Sequence, residues 1–271
     1  CCGDAAPAHV RVESLEVTGA SDHGVLVSGA GATEITLRDL ILRANGAAPS
    51  TDEGGSGVTV TDGASTVSVA ASEMLDNVSA MGPPTRGIVV DGASDVSIID
   101  NLVRGTSSNG IRIESGSNAV VTGNTVRDGG TNGITFWGDG HQATFNVLCD
   151  NDAIGIRVID ASDLVIEHNS FLNHGSFSVE LAGDSAGTLF RSNAVVNSGG
   201  PAVTSVMEDP TTSHNMFVAN SGAYDGAASG DPTDRGDTDP LFVDRRNCDV
   251  NLMPGSPAIG AAHDGGNVGA R

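Results

Sequence analysis

Short stretches in which aliphatic and polar residues alternate recur along most of the chain, usually after a glycine. They are Gly24-Val-Leu-Val, Gly57-Val-Thr-Val, Gly87-Ile-Val-Val, Gly110-Ile-Arg-Ile, Gly133-Ile-Thr-Phe and Gly155-Ile-Arg-Val, with weaker copies at Ser178-Val-Glu-Leu and Ala202-Val-Thr-Ser. From Gly87 onward the copies lie 22 to 24 residues apart. A two-residue period is that of a β-strand, whose alternate side chains point to opposite faces. The pattern predicts one such strand per repeat, with two columns of inward aliphatic side chains.

A second series of positions repeats at the same spacing: Asn101, Asn124, Asn146, Asn169, Asn193 and Asn215, each followed two residues later by an apolar residue. Asparagine tolerates the backbone of a tight bend, and its amide can hydrogen-bond to the asparagine one repeat away. Equivalent positions meet only when repeats stack in parallel, one coil per repeat. The series therefore predicts an asparagine ladder.

These glycine-led strands and in-register asparagines resemble the parallel β-helix repeat family, which includes pectate lyases, polygalacturonases and many bacterial surface proteins. The resemblance covers about residues 10–222. It implies an all-β fold, a single-stranded right-handed parallel β-helix of about nine coils of 22–24 residues. It is specific for the fold and says little about function.

The ends of the chain depart from the repeat. Residues 1–9 form a short N-terminal segment, residues 10–222 the predicted β-helix, and residues 223–271 resemble the capping tail of secreted bacterial β-helix proteins. The family's N-terminal capping helix has no counterpart, because Val10-Arg-Val-Glu-Ser-Leu-Glu-Val already has the strand pattern. We therefore expect an open N-terminal edge unless residues 1–9, a lipid, a preceding segment or another subunit covers it.

Two coils are longer than the others, over residues 44–56 and 79–86. Both insertions precede a glycine-led strand, so they should project from one corner of the solenoid. They could wall one side of a groove over the first strand of each coil. Tolerated loop growth is an equally good interpretation.

The charge composition argues against two classes of binding partner. The 13 basic residues are all arginine and face 34 Asp and Glu, giving a formal net charge of -21. Such a chain repels nucleic acid phosphates and anionic lipid surfaces, so we expect neither as a partner. The surplus of aspartate fits a hydrated surface, adaptation to salt, or calcium binding.

Four cysteines, Cys1, Cys2, Cys149 and Cys248, allow three pairings if all are oxidised. A chain that starts at cysteine resembles a mature bacterial lipoprotein, in which a lipid on Cys1 would be the contact with a membrane. A start set by cloning and an N-terminal disulfide are the alternatives. Each of the natural alternatives predicts an extracytoplasmic, secreted or cell-surface location.

The outward positions of the glycine-led strands carry the candidate chemistry. Trp137, the single tryptophan, lies between Arg112 and Arg157 on neighbouring coils. An aromatic face suits a sugar ring and guanidinium groups suit carboxylates or hydroxyls, so this face predicts a polysaccharide site. The predicted substrate-binding residues are Trp137, Thr135, Glu114, Asp91 and His141. The alternative is a cross-coil charge ladder that only solubilises the face, pairing Arg157 with Glu180 and Arg112 with Glu114 or Asp91.

The candidate catalytic residues are Arg112, Arg157 and Glu180. The resemblance to pectate lyases implies an arginine base, with calcium at Asp91, Glu114, Asp139 or Asp160 neutralising a uronate. No specific lyase motif is present, and Gly138-Asp-Gly-His141 does not match the polygalacturonase motifs. Whether the protein is an enzyme is therefore left open.

His168 and His214 both precede an asparagine of the ladder, two coils apart. At about 10 Å they would be too far apart to share a metal ion, so we interpret them as surface turn residues.

Two functions follow from the sequence. The first is an extracytoplasmic protein that binds an acidic polysaccharide along the first-strand face and, as an enzyme, would cleave or epimerise it. The alternative is a non-catalytic surface or filament-forming protein that self-associates through its open N-terminal edge.

Overall fold

The computed structural model describes residues 8–48, 54–79 and 84–270. Its strands wind into a solenoid with three faces, and strands on each face pair in parallel with the equivalent strands of neighbouring coils. The central residues of the two predicted insertions, 49–53 and 80–83, lie outside the described residues, as do Cys1 and Cys2.

Each face of the solenoid contains nine strands among the described residues. The first face holds His23–Ser28, Ser56–Thr61, the first part of Arg86–Ile99, Ile111–Ser117, Ile134–Trp137, Ile156–Ile159, Val179–Ala182, Val203–Ser205 and Tyr224–Gly226. The second face holds Arg11–Glu13, Thr33–Arg38, Ser65–Ala70, the second part of Arg86–Ile99, Val120–Thr122, Gln142–Thr144, Val165–Glu167, Leu189–Arg191 and Thr211–Ser213. The third face holds Glu16–Thr18, Ile41–Arg43, Glu73–Leu75, Leu102–Arg104, Thr125–Arg127, Val147–Cys149, Ser170–Leu172, Ala194–Val196 and Met216–Val218.

The predicted inward columns are confirmed by the strand register. Ile111 pairs with Ile88 on one side and Ile134 on the other, while Ile113 pairs with Phe136. These side chains are at most 1% exposed. Burying an aliphatic or aromatic side chain of this size contributes roughly 1.5–3 kcal/mol, so the two columns supply much of the stability of each coil.

The glycine before each first-face strand has a steric cause. A Cβ atom at Gly110 would lie 2.3 Å from Cγ1 of Val126 and 2.8 Å from the carbonyl oxygen of Gly133 on the next coil. At Gly133 the carbonyl oxygen of Gly155 would be 2.7 Å away. Consecutive coils approach too closely here for a side chain.

The repeating asparagines are buried where the second face turns into the third. The Nδ2 group of Asn124 donates to Oδ1 of Asn146, and that of Asn146 donates to Oδ1 of Asn169. Each Oδ1 also accepts the backbone N–H of the asparagine in the preceding coil. These bonds satisfy backbone groups that leave the sheet at the bend.

The C-terminal tail has two parts. Tyr224–Gly226 adds a strand to the first face, and the Asp234 carboxylate accepts hydrogen bonds from Asn215 and from the Tyr224 hydroxyl, completing a final turn. The chain then forms an antiparallel pair, Phe242–Asp244 and Asp249–Leu252, joined by the 3₁₀ turn Arg245–Asn247. The first part extends the end of the solenoid by a strand and a turn, and the second lies elsewhere.

The second part of the tail packs along the side of the solenoid. Its apolar side chains pack against outward side chains of the third face, which include Leu172 and Val196. The packed residues of the tail include Phe242, Val250 and Val268. A disulfide joins Cys149 of this face to Cys248 of the tail. The tail is thus fastened laterally, over the middle and later coils.

The N-terminal coil presents its edge at the other end. Arg11–Glu13 pairs with Thr33–Arg38, and Val10 and Leu15 beside it are 36% and 47% exposed. Within the described residues, no helix is long and apolar enough to cross a membrane.

Candidate functional site

A groove of about 620 Å³ runs along the edge of the first face, beside the turns that connect the third face to it. Its floor consists of outward side chains from four consecutive coils, and its wall consists of the turn residues that precede those strands. The lining residues are Ser108, Asn109, Arg112, Thr131, Asn132, Thr135, Trp137, Ala153, Ile154, Arg157, Ser176, Phe177 and Glu180. The predicted grouping of Trp137 with both arginines and Glu180 is therefore present.

Trp137 and Arg112 form a stacked pair at one side of the groove. The Arg112 guanidinium carbon lies 5.2 Å from the centre of the Trp137 ring system, within the range of a cation–π contact. The same guanidinium contacts the carboxylate of Glu114, two residues along the strand. These contacts fix the orientation of an aromatic side chain that remains partly accessible.

Strand register places Arg112, Thr135, Arg157 and Glu180 in one row across four coils. Nε of Arg157 lies 2.6 Å from Oε2 of Glu180. Thr135 is buried in the floor, where its hydroxyl accepts a hydrogen bond from Asn132 at 3.3 Å. The side chains of Arg112 and Glu180 are 17% and 19% exposed, and that of Arg157 is 40% exposed.

The charges of the groove balance one another. Arg112 contacts Glu114 on the same strand, and Arg157 contacts Glu180 on the next coil. Both pairs were predicted under the alternative in which a charge ladder only solubilises this face. A carboxylate on a ligand would have to compete with Glu114 or Glu180 for a guanidinium. With Glu114 counted beside the row, the two guanidinium groups face two carboxylates and no positive charge is left in surplus.

The aspartates predicted to hold calcium lie apart. Asp91 is exposed on the strand next to Glu114, whereas Asp139 accepts two hydrogen bonds from Ser162 and Asp160 accepts one from the backbone of Asp184. Hydrogen bonds from Ser162 lower the pKa of Asp139. In the part of the chain that the structure describes, these three residues do not form a cluster with ligand atoms within 4.8 Å. They therefore do not fit a shared calcium site, and we derive no step through calcium.

His141 is located inside the turn after the groove strand. It is fully buried and stacks on Phe136 with ring centres 5.5 Å apart. Its Nδ1 accepts the backbone N–H of Ala119, so Nε2 carries the hydrogen and donates to the carbonyl of Trp137. Burial lowers the pKa of His141. The side chain supports the turn below Trp137 and does not reach the groove, contrary to its predicted contact with substrate.

The residues of the groove wall lie in turns, outside the outward strand positions from which the site was predicted. The side chain of Thr131 donates to that of Asn109 one coil earlier at 2.6 Å, and Ser108 and Ser176 add hydroxyl groups. The recurring dipeptides Asn109-Gly110 and Asn132-Gly133 are the signal that could have indicated these residues.

Comparisons with known proteins agree with this architecture. A family model described as the right handed beta helix region matches residues 5–148 and 86–231. The chain therefore belongs to the right-handed β-helix family, and the predicted fold class is confirmed. No curated protein sequence matches the chain.

Several solved structures share the fold. Pectate lyase Pel9A aligns over 96% of this chain and 72% of its own, with 16% identity and a TM-score of 0.59. The surface adhesin PfbA of Streptococcus pneumoniae aligns over 79% and 60%, with 10% identity and a TM-score of 0.56. The periplasmic alginate epimerase AlgG aligns over 79% and 47%, with 14% identity and a TM-score of 0.55. The chain spans about half the length of the epimerase, and identities this low show the fold alone.

Proposed function

We propose that the first-face groove binds a polysaccharide chain. The observation that carries this proposal is the stacked Trp137–Arg112 pair beside a wall of hydroxyl and amide side chains. Sugar rings present an apolar face to an aromatic ring and hydroxyl groups to polar side chains, and this groove offers both. Its run across four coils suits an extended polymer.

The similar structures support a polysaccharide or surface role. Pectate lyase Pel9A and alginate epimerase AlgG are named for polysaccharides, and PfbA is a surface adhesin. Because fold similarity does not transfer function, the groove itself carries the argument.

The sequence predicted an acidic polysaccharide in particular, and the paired charges of the groove affect whether an acidic polymer can bind. A uronate carboxylate would bind a guanidinium bidentately only by replacing Glu114 or Glu180. A neutral chain needs no such exchange. We therefore infer binding of a glycan by stacking and hydrogen bonding, with acidic and neutral polymers as separate arms of the test. The catalytic roles of Arg112, Arg157 and Glu180 stay predictions.

Binding is best measured on the full chain with pectate, alginate and a neutral β-glucan, by calorimetry and by the fluorescence of Trp137. We expect Trp137→Ala to weaken binding at least tenfold and Arg157→Ala to affect acidic polymers more than neutral ones. Arg104→Ala, on the third face, is the matched control. Unchanged affinity in the Trp137→Ala, Arg157→Ala double variant, or binding to none of the polymers across a glycan array, would overturn the proposal.

We infer an extracytoplasmic location, which the disulfide between Cys149 and Cys248 supports because such bonds persist in oxidising compartments. The periplasmic and surface locations in the names of AlgG and PfbA are consistent with it. Lipidation of Cys1 remains a prediction, to be tested by mass spectrometry of the mature protein.

Self-association through the N-terminal edge is the second candidate. Val10 and Leu15 are exposed and lie beside the strands Arg11–Glu13 and Glu16–Thr18. These strands pair with the next coil on one side and form the N-terminal edge, and such an edge can accept strands of another chain. Sedimentation velocity over a range of concentrations should show oligomers that Leu15→Glu removes. A monomer at every concentration would exclude this role.

A further inference from the structure

We propose that His168, His263 and Asp264 form a binding site for Zn²⁺ that fastens the C-terminal tail to the solenoid. The site lies outside the groove, at the bend between the second and third faces. His168 belongs to that bend, whereas His263 and Asp264 belong to the tail that returns over it. In the chain as described, their ligand atoms all lie within 4.8 Å of one another.

His168 is held in one orientation. It is 3% exposed, and its ring stacks on Phe145 of the preceding coil with centres 4.8 Å apart. Its Nδ1 lies 3.0 Å from the backbone carbonyl of Asn267, to which it must donate a hydrogen. A hydrogen bond from one ring nitrogen to a backbone carbonyl is the usual support of a metal-binding histidine, because it directs the other nitrogen to the ion.

The other nitrogen of His168 faces an acceptor. Nε2 lies 3.4 Å from Oδ2 of Asp264. When Nδ1 carries the hydrogen of a neutral ring, Nε2 and Oδ2 both present lone pairs, and a cation between them would satisfy both atoms. Ligands about 2.0–2.1 Å from a tetrahedral Zn²⁺ are about 3.4 Å apart, so the observed separation suits two ligands of one ion.

His263 supplies the third ligand from the tail. Its ring centre is 5.5 Å from that of His168. Nδ1 lies 2.9 Å from the hydroxyl oxygen of Ser192, which also accepts the backbone N–H of His263. When Nδ1 donates to Ser192, Nε2 is free for a metal ion. Both histidines then use the same arrangement, with Nδ1 anchored to an oxygen and Nε2 available.

The surroundings allow an ion to enter from solvent. The side chains of His263 and Asp264 are 22% and 52% exposed, so the site opens to solvent on the tail side. The Glu167 carboxylate lies 3.9 Å from Nε2 of His263 and pairs with Arg191 at 2.7 Å. Two nitrogen ligands with one carboxylate suit Zn²⁺ better than Ca²⁺ or Mg²⁺, which prefer oxygen.

The consequence concerns how the tail is held. Backbone hydrogen bonds from Gly269 to Ser192 and from Ala270 to the Ser170 side chain lie beside the site. A bound ion would add a link at this end of the tail, while the disulfide at Cys248 secures the other. The structure thus suggests two fastenings, one covalent and one dependent on metal.

Zinc binding can be measured directly on the metal-stripped full chain, by calorimetry and by elemental analysis after dialysis. We expect one Zn²⁺ per chain with micromolar affinity or better, and a cobalt-substituted form with the visible absorption of tetrahedral Co²⁺. Ca²⁺ should not compete. With zinc bound, the tail should resist proteolysis longer than in the metal-free protein.

Variants separate the site from ordinary histidine binding. His263→Ala and Asp264→Asn should each weaken zinc binding at least tenfold, and circular dichroism will show that the solenoid remains folded. His214→Ala, at the equivalent bend two coils further on, is the matched control and should bind as the unaltered protein does. No bound zinc at 100-fold excess, or equal affinity in His263→Ala, would leave His168 and Asp264 as a simple ion pair and overturn the proposal.

Discussion

The buried asparagine series gives a quantitative test of how the bends of the solenoid are stabilised. Oδ1 of Asn146 accepts the backbone N–H and the Nδ2 group of Asn124, each at 3.0 Å. Its Nδ2 donates to the carbonyl of Val121 at 2.8 Å and to Oδ1 of Asn169 at 3.0 Å. Asn146→Leu keeps nearly the same shape and removes all four bonds.

The expected loss of stability follows from the groups left behind. The backbone N–H of Asn124 and the carbonyl of Val121 lose their side-chain partner in a region without access to water. Each buried unsatisfied group costs roughly 1–3 kcal/mol, and the added apolar contact of leucine returns about 1 kcal/mol. We therefore expect the free energy of unfolding to fall by about 3 kcal/mol.

Urea unfolding followed by Trp137 fluorescence is the assay, because this single tryptophan lies in the same coil as Asn146. Circular dichroism follows the whole solenoid in parallel. Asn251→Leu, on the exposed side of the tail, is the matched control and should change stability by less than about 0.5 kcal/mol. A loss below about 1 kcal/mol for Asn146→Leu, or no greater than for the control, would refute the reasoning.

Three further predictions concern stability. Burial lowers the pKa of His174 to about 3, so it stays neutral in the fold while the unfolded chain takes up a proton below about pH 6.5. Its contribution to stability should fall by about 2 kcal/mol from pH 8 to pH 5, and in urea unfolding the loss over this range should be smaller by that amount in His174→Gln. Equal pH dependence in both proteins would contradict it. Replacing Cys149 and Cys248 by alanine should lower the free energy of unfolding by up to about 4–5 kcal/mol and speed proteolysis of the tail. An unaltered cleavage rate would show that apolar packing alone holds the tail in place. Gly110→Ala should lower the stability of the protein by about 1–3 kcal/mol in thermal melts. Gly236→Ala, with open space around the added Cβ, should leave stability unchanged. Similar melts for the two variants would argue against the close approach of the coils.

The coils were predictable because each repeat carries its own strand pattern. Ile88, Ile111 and Ile134 could be assigned to one column from spacing alone, since a parallel stack brings equivalent positions together. The outward row of Arg112 and Arg157 followed from the same register. Contacts along the stack repeat, so one coil predicts the next.

The lateral position of the tail could not be derived in this way. The disulfide joins residues 99 positions apart, and His263 meets His168 through a fold-back that no repeat spacing encodes. Our interpretation of His168 as a surface turn residue was wrong for this reason, because the tail covers it. A signal is nevertheless present: outward positions of the third face change from Arg104 and Arg127 to apolar Leu172 and Val196 where the apolar side chains of the tail pack.

The disulfide between the tail and the third face also determines how the molecule would bear mechanical load. A pull on the C-terminus, with the N-terminus held, would first strip residues 249–270 from the third face and would then reach the main chain of the solenoid through Cys149, in the middle of the stack, instead of through its last coil. The intervening coils form a covalent loop that carries none of this tension. Under such a pull those coils, with the distal end of the groove at Arg157 and Glu180, would keep their shape while the coils before Cys149 take the strain.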